Sequence, residues 1–187
     1  MKKLMIVWMA LSLCACQQQT TTQNEKPAAC DPSESCEETK KETKEVDFKE
    51  ISMDEALSVF ARQESAILFF GFKDCPWCQE AAPVLKEVAE TTGKEVLYIK
   101  TRSDKEHELL YSDQQREQLS ESIGAWMEPN EEEDNKLWLY VPLVIRVDHG
   151  VATEGHEGTV DTHDATKQTM TTEEKTQLEE IYTEILR

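Results

Sequence analysis

Cys75-Pro76-Trp77-Cys78 sets two thiols at disulfide-forming spacing, with a proline directly behind the first sulfur. Proline suits the first helical position, because its missing N–H would be unpaired there and its φ already fits the helix. Cys75 then caps that helix. Free backbone N–H groups and the positive end of the helix dipole favour a thiolate at the cap, lowering its pKa below the free value of about 8.5. Cys75 is therefore the candidate nucleophile. Cys78 falls about one turn further in, where it is expected to be more buried and able to attack a mixed disulfide on Cys75. It is the candidate resolving thiol, and the two sulfurs carry the electrons without metal or organic cofactor.

Two plainer uses of a C-x-x-C compete. A structural zinc site needs four ligands, and no second C-x-x-C or H-x₃₋₅-H follows. An inert disulfide of such short loop length constrains the unfolded chain little. His107, His149, His156 and His163 are scattered through expected loops and turns without metal-ligand spacing, and are read as solvent-exposed. Trp77, between the cysteines, is read as part of a contact patch for a partner; its plainer use is to cover Cys78. Lys73 and Asp74 oppose each other in charge beside Cys75, and no net effect is assigned to them.

The elements that must hold this dithiol are legible around it. Ala66 to Phe72 is an apolar run that reads as a buried strand feeding the helix. In that helix Cys78, Ala81, Ala82, Leu85, Val88 and Ala89 make one apolar stripe, and Gly93 is the stop. Glu95 to Lys100 is a second strand, so strand, helix and strand imply a parallel pair with a right-handed crossover. Ser52-Met53-Asp54-Glu55 is a capping box opening a first helix. Asp113 to Met127 reads as helical, with Leu119, Ile123 and Trp126 on one face. Glu128-Pro129-Asn130 breaks it, and Glu131 to Asp134 is an acidic loop. Trp138 to Val147 reads as a third strand region containing Pro142, and Asp148-His149-Gly150 as a hairpin turn into a short last strand. Thr171 to Glu174 caps a final helix with Leu178, Ile181, Ile185 and Leu186 inward.

The chain has 187 residues, enough for one domain once its ends are set aside. Lys2 and Lys3 precede an apolar run from Leu4 to Leu13, too short for an ordinary membrane span, which ends in Leu13-Cys14-Ala15-Cys16. This resembles the bacterial lipoprotein signal, which implies cleavage after residue 15 and lipid on Cys16; a conventional cleaved signal peptide is the alternative. Either way the mature chain is expected outside the cytoplasm, where disulfides persist. Residues 16–47 are rich in Gln, Thr, Glu, Lys, Ser and Pro and read as a disordered tether, with a reach of about 30 Å. Cys30 and Cys36 within it are read as a small loop disulfide or as a second dithiol exchanging with the first. A formal charge of -18 argues against nucleic acid as a partner.

Residues 48–187 resemble the thioredoxin superfamily. Ala82-Pro83-Val84-Leu85 carries a mid-helix proline five residues beyond Cys78, as thioredoxins do, although proline costs about 3 kcal/mol in an ordinary helix interior. Val141-Pro142 resembles the family's cis-proline, and Gly150 and Gly158 fall where the family places glycines before its last helix. The resemblance implies an α/β fold: a central mixed sheet of about four strands flanked by helices, with an inserted helical segment and acidic loop before the cis-proline strand. It also implies that Val141 and Pro142 dock a partner's extended backbone beside Cys75. Two departures stand out. The family's buried aspartate, six residues before the nucleophile, is here Phe69, and residues 103–140 exceed the usual connection.

Together these features describe a lipid-anchored thiol–disulfide oxidoreductase on the extracytoplasmic face of a cell membrane, acting on cysteine-containing proteins through mixed disulfides. The alternative is a non-catalytic binding or export-accessory lipoprotein, resembling the bacteriocin transport accessory group.

Overall fold

Ala66-Ile67-Leu68-Phe69-Phe70-Gly71 has no polar side chain, and a strand of that composition needs cover on both faces. The computed structural model describes residues 48–187, and in it the order of elements is β1 (Lys49–Ile51), α1 (Met53–Ala61), β2 (Ala66–Gly71), α2 (Pro76–Thr92), β3 (Val96–Lys100), α3 (Asp113–Ile123), β4 (Glu128–Asn130), β5 (Lys136–Trp138), β6 (Leu143–Asp148), β7 (Val151–Glu157) and α4 (Thr172–Leu186). The apolar run is β2, the centre of a five-stranded sheet ordered β1-β3-β2-β6-β7. β3 runs parallel to both β1 and β2, whereas β6 is antiparallel to β2 and to β7. The sheet thus has five strands rather than about four. The one not anticipated is β1, whose three residues are too few to show a period.

Alternation along β2 divides the interior in two. Ile67 and Phe69 face α2 and α4, meeting Leu85, Val88, Leu178 and Tyr182. Leu68 and Phe70 face α1 and α3, meeting Ala56, Val59, Leu119 and Ile123. Each flanking helix but α2 opens on a capping box, in which a Ser or Thr oxygen takes the N–H of a Glu or Gln that reaches back: Ser52 with Glu55, Ser112 with Gln115, Thr171 with Glu174.

Residues 103–140 differ from the sequence expectation in detail. α3 ends at Ile123 and passes into a 3-10 turn over Gly124–Trp126. Glu128-Pro129-Asn130, expected only to break the helix, is β4, paired antiparallel with β5 around a 3-10 turn at Glu131–Glu133. A hairpin so short needs an anchor from outside itself. Arg116 supplies it, almost wholly buried, with its guanidinium 4.6 Å from the Trp138 ring centroid and 3.6 Å from the Glu133 carboxylate. Nor is Trp138 to Val147 one strand. β5 stops at Trp138 and β6 starts at Leu143, with the cis Val141-Pro142 peptide between them.

Candidate functional site

The site forms where β2 ends and α2 begins. Cys75 is the N-cap of α2, in extended backbone, and Pro76 occupies the first turn. The backbone N–H of Cys78 donates to Cys75 Sγ at 3.3 Å, as a capping side chain requires. On the other side the Cys75 thiol donates to the Val141 carbonyl oxygen at 3.6 Å. Fold and register therefore bring together Cys75, Cys78 and the cis Val141-Pro142 peptide, which are far apart in sequence. Both cysteines are free thiols.

Their electrostatics differ. A hydrogen bond from the Cys78 thiol holds the Cys75 pKa down, against the cost of burial, and the N–H groups of Cys78 and Trp77 add to it. Burial pushes the Cys78 thiol far up, and its hydrogen bond to Cys75 and the charge there add to the rise. Of this pair Cys75 ionises first and Cys78 keeps its proton.

Solvent exposure does not separate them as expected. Cys75 is 4% exposed and Cys78 5%, so neither sulfur lies open, and the asymmetry is one of hydrogen bonding and depth. Trp77 is half-buried and Pro76 is exposed at the mouth. Beyond Val141, itself half-buried, Tyr140 is 42% exposed. Pro83 faces solvent on the outer side of α2, where a missing N–H can be tolerated by a carbonyl open to water.

One histidine reading is corrected. His107 and His149 are exposed and His156 half-buried, but His163 is buried, its ring nitrogens without a hydrogen bond and Nδ1 3.7 Å from the Glu174 carboxylate. The loop carrying it folds back under the start of α4, and its apolar neighbours Val160 and Met170 draw it inward. Among the described residues no group of three or more His, Cys, Asp or Glu is arranged to hold a metal ion, and no helix is long and apolar enough to cross a membrane. The expected signal segment, Cys16, the tether, Cys30 and Cys36 lie outside the described residues.

Sequence reasoning missed three residues around Cys78. Gly71 leaves room for the sulfur: a Cβ there would lie 3.2 Å from Cys78 Sγ and 3.5 Å from Tyr98 Cε2. Tyr98 stands opposite Phe69 in the β2–β3 register, with ring centroids 5.4 Å apart. Tyr182 is wholly buried on α4, and its hydroxyl has no hydrogen-bond partner. The β3 alternation pointed to Tyr98; nothing in the sequence pointed to the other two.

Four strands running one way with β6 alone against them, helices on both faces, a dithiol capping α2 and a cis-proline against it define a protein of thioredoxin-like fold with a redox-type site. Residues 37–127, just under half of the chain, match the family model described as TraF, F plasmid transfer operon protein. Among solved structures the chain is similar to the oxidised thioredoxin of Plasmodium falciparum, at 18% identity and TM-score 0.37, covering 73% of this chain and 99% of that one. Thioredoxin O2 of Arabidopsis thaliana in its oxidised state gives 17% identity and TM-score 0.36, covering 73% and 96%. A Malassezia sympodialis thioredoxin gives 16% identity and TM-score 0.37, covering 72% and 93%. No curated protein sequence matches the chain.

Proposed function

We propose that this protein is a membrane-tethered, extracytoplasmic thiol–disulfide oxidoreductase that exchanges disulfides with protein partners. The observation carrying the proposal is the placement of the dithiol: Cys75 caps α2, takes the Cys78 N–H and lies against the Val141 carbonyl before the cis-proline, an arrangement that favours the thiolate at Cys75 over Cys78. The Cys75 thiolate attacks a partner's disulfide, forming a mixed disulfide and expelling one partner thiolate. Cys78 then gives up its proton and attacks Cys75, forming the Cys75–Cys78 bond and releasing the second partner thiolate. The partner gains two electrons and two protons, and the reverse sequence oxidises a partner dithiol. Val141 and Pro142 line the approach to Cys75, and Trp77 and Tyr140 flank it with apolar surface for a polypeptide.

The tether is proposed from the N-terminal sequence: Lys2, Lys3, the apolar run and Cys16 as the lipid site. Fatty-acid labelling in the producing cell should be lost in Cys16→Ser. The exchange reading is tested by Cys78→Ser, which should leave partners covalently trapped on Cys75 and released by a reducing agent.

The near-complete cover of both sulfurs favours a second reading, a binding or export-accessory lipoprotein whose dithiol is structural. That reading expects no trapped partner in Cys78→Ser and biological function retained.

A further inference from the structure

Taking Cys78 as the resolving thiol, as proposed above, it must lose a proton in a place where water hardly reaches. An ionised sulfur there needs a hydrogen-bond donor. The backbone N–H groups of Phe72, just past β2, and of Cys78 itself favour the ionised form, but β2 offers no donor from its side chains: Phe69 is apolar, and Gly71 has no side chain. On its own helix Cys78 has Cys75, which in the mixed disulfide is bonded to the partner's sulfur and has no proton to donate, while Glu80 further along accepts the Met170 N–H. From α4 comes Tyr182, sealed in the interior and without access to solvent. From β3 comes Tyr98.

Both tyrosines lie near enough to sense charge on Cys78, and the Tyr98 ring also borders the space beside Gly71. That ring contacts Phe69 and leans toward Gly71, so that ring carbon and Cys78 Sγ both border the space a side chain at 71 would fill. The residue as a whole is half-buried, whereas Tyr182 is wholly buried. We propose that the Tyr98 hydroxyl donates a hydrogen bond to the Cys78 sulfur, directly or through one water, as that thiol ionises to attack the mixed disulfide. The Cys78 proton leaves to solvent, the Cys75–Cys78 bond forms, and the partner departs as thiolate. Burial keeps Tyr98 itself protonated, and the charges of Cys78, Glu50, Asp104 and Cys75 act in the same direction, so it remains a donor throughout the range in which cysteines titrate. Asp104 is itself held by Lys100 at 2.7 Å.

The test uses the full chain with Cys14, Cys16, Cys30 and Cys36 replaced by serine, so that only the dithiol reacts, and one equivalent of 5,5′-dithiobis(2-nitrobenzoate). The first nitrothiobenzoate released reports attack by Cys75 and the second reports attack by Cys78. In Tyr98→Phe, which keeps the ring, the second release is expected to slow about tenfold at pH 7, with its pH profile displaced upward by about one unit. The first release and the unfolding midpoint should stay as in the parent. An unchanged second release in Tyr98→Phe overturns the role of Tyr98 while leaving the exchange chemistry standing, as does a displaced profile in Tyr182→Phe alone. A parent protein that releases only one equivalent overturns both.

Discussion

Cys75 Sγ points at the carbonyl oxygen of Val141, 3.6 Å away across 66 residues of chain. The sulfur is held between this acceptor and the N–H of Cys78, so the nucleophile of the proposed exchange rests against the backbone that precedes the cis-proline. A polypeptide laid along Val141 would present its own sulfur to Cys75 from that side.

The reduced protein should lose stability in alkali, and Cys78 should be the reason. Cys78 has a raised folded-state pKa, so above the unfolded value of about 8.5 it is protonated when folded and ionised when unfolded, and stability falls by about 1.4 kcal/mol per pH unit. Cys75 has a lowered one, and its contribution is present above about pH 8.5 and is lost as pH falls through the folded value. The expected curve rises to about pH 8.5 and then declines. Urea unfolding at pH 7, 8.5 and 9.5 measures it, and Cys78→Ala should abolish the decline.

Gly71→Ala should damage the site more than the fold. The new methyl would come within 3.2 Å of Cys78 Sγ and 3.3 Å of Phe69 Cζ, both nearly without room to move. A loss of about 1–3 kcal/mol is expected from overpacking, together with a slower attack by Cys78 on a mixed disulfide. Full stability with unaltered kinetics would show that the sulfur shifts freely.

Tyr182→Phe should be neutral or stabilising. The hydroxyl is buried without a partner, and such a group costs about 1–3 kcal/mol of desolvation that phenylalanine does not incur. Thermal unfolding reads the difference. A marked loss of stability would reveal a buried water serving the hydroxyl.

Arg116→Ala should loosen the β4–β5 hairpin without touching the dithiol. Its carboxylate partners, Asp113 and Glu133, reach solvent, so the loss is chiefly the packing and cation–π contact with Trp138, about 1–3 kcal/mol. Limited proteolysis should cut first within residues 128–138, while the rate of Cys75 alkylation stays unchanged.

Much of the fold was legible because its signals are local. The capping boxes at Ser52 and Thr171, the apolar run of β2 and the stop at Gly93 each depend on a few neighbouring residues, and each appears where the sequence puts it. β1 and β4 were not legible, since three residues have no measurable period and their partners lie elsewhere in the chain. Tyr182 was passed over for Ile181 in the stripe of α4, because a tyrosine marks either a face or a core and only the depth of packing against α2 and the sheet decides between them.

The sequence by itself determined the dithiol, its helix-capping position and the proline that opens the helix, because these follow from the bonding needs of one helix end. It also located Pro142 as the residue to meet that dithiol, by resemblance. Tertiary structure alone decided the rest: that both sulfurs are covered, that Val141 supplies the carbonyl facing Cys75, and that Gly71, Phe69 and Tyr98 surround Cys78. The physical reason is strand register. Pairing Phe69 with Tyr98 fixes which side chains share a face beside the sulfur, and that pairing is settled by how whole strands pack, not by residues near either cysteine.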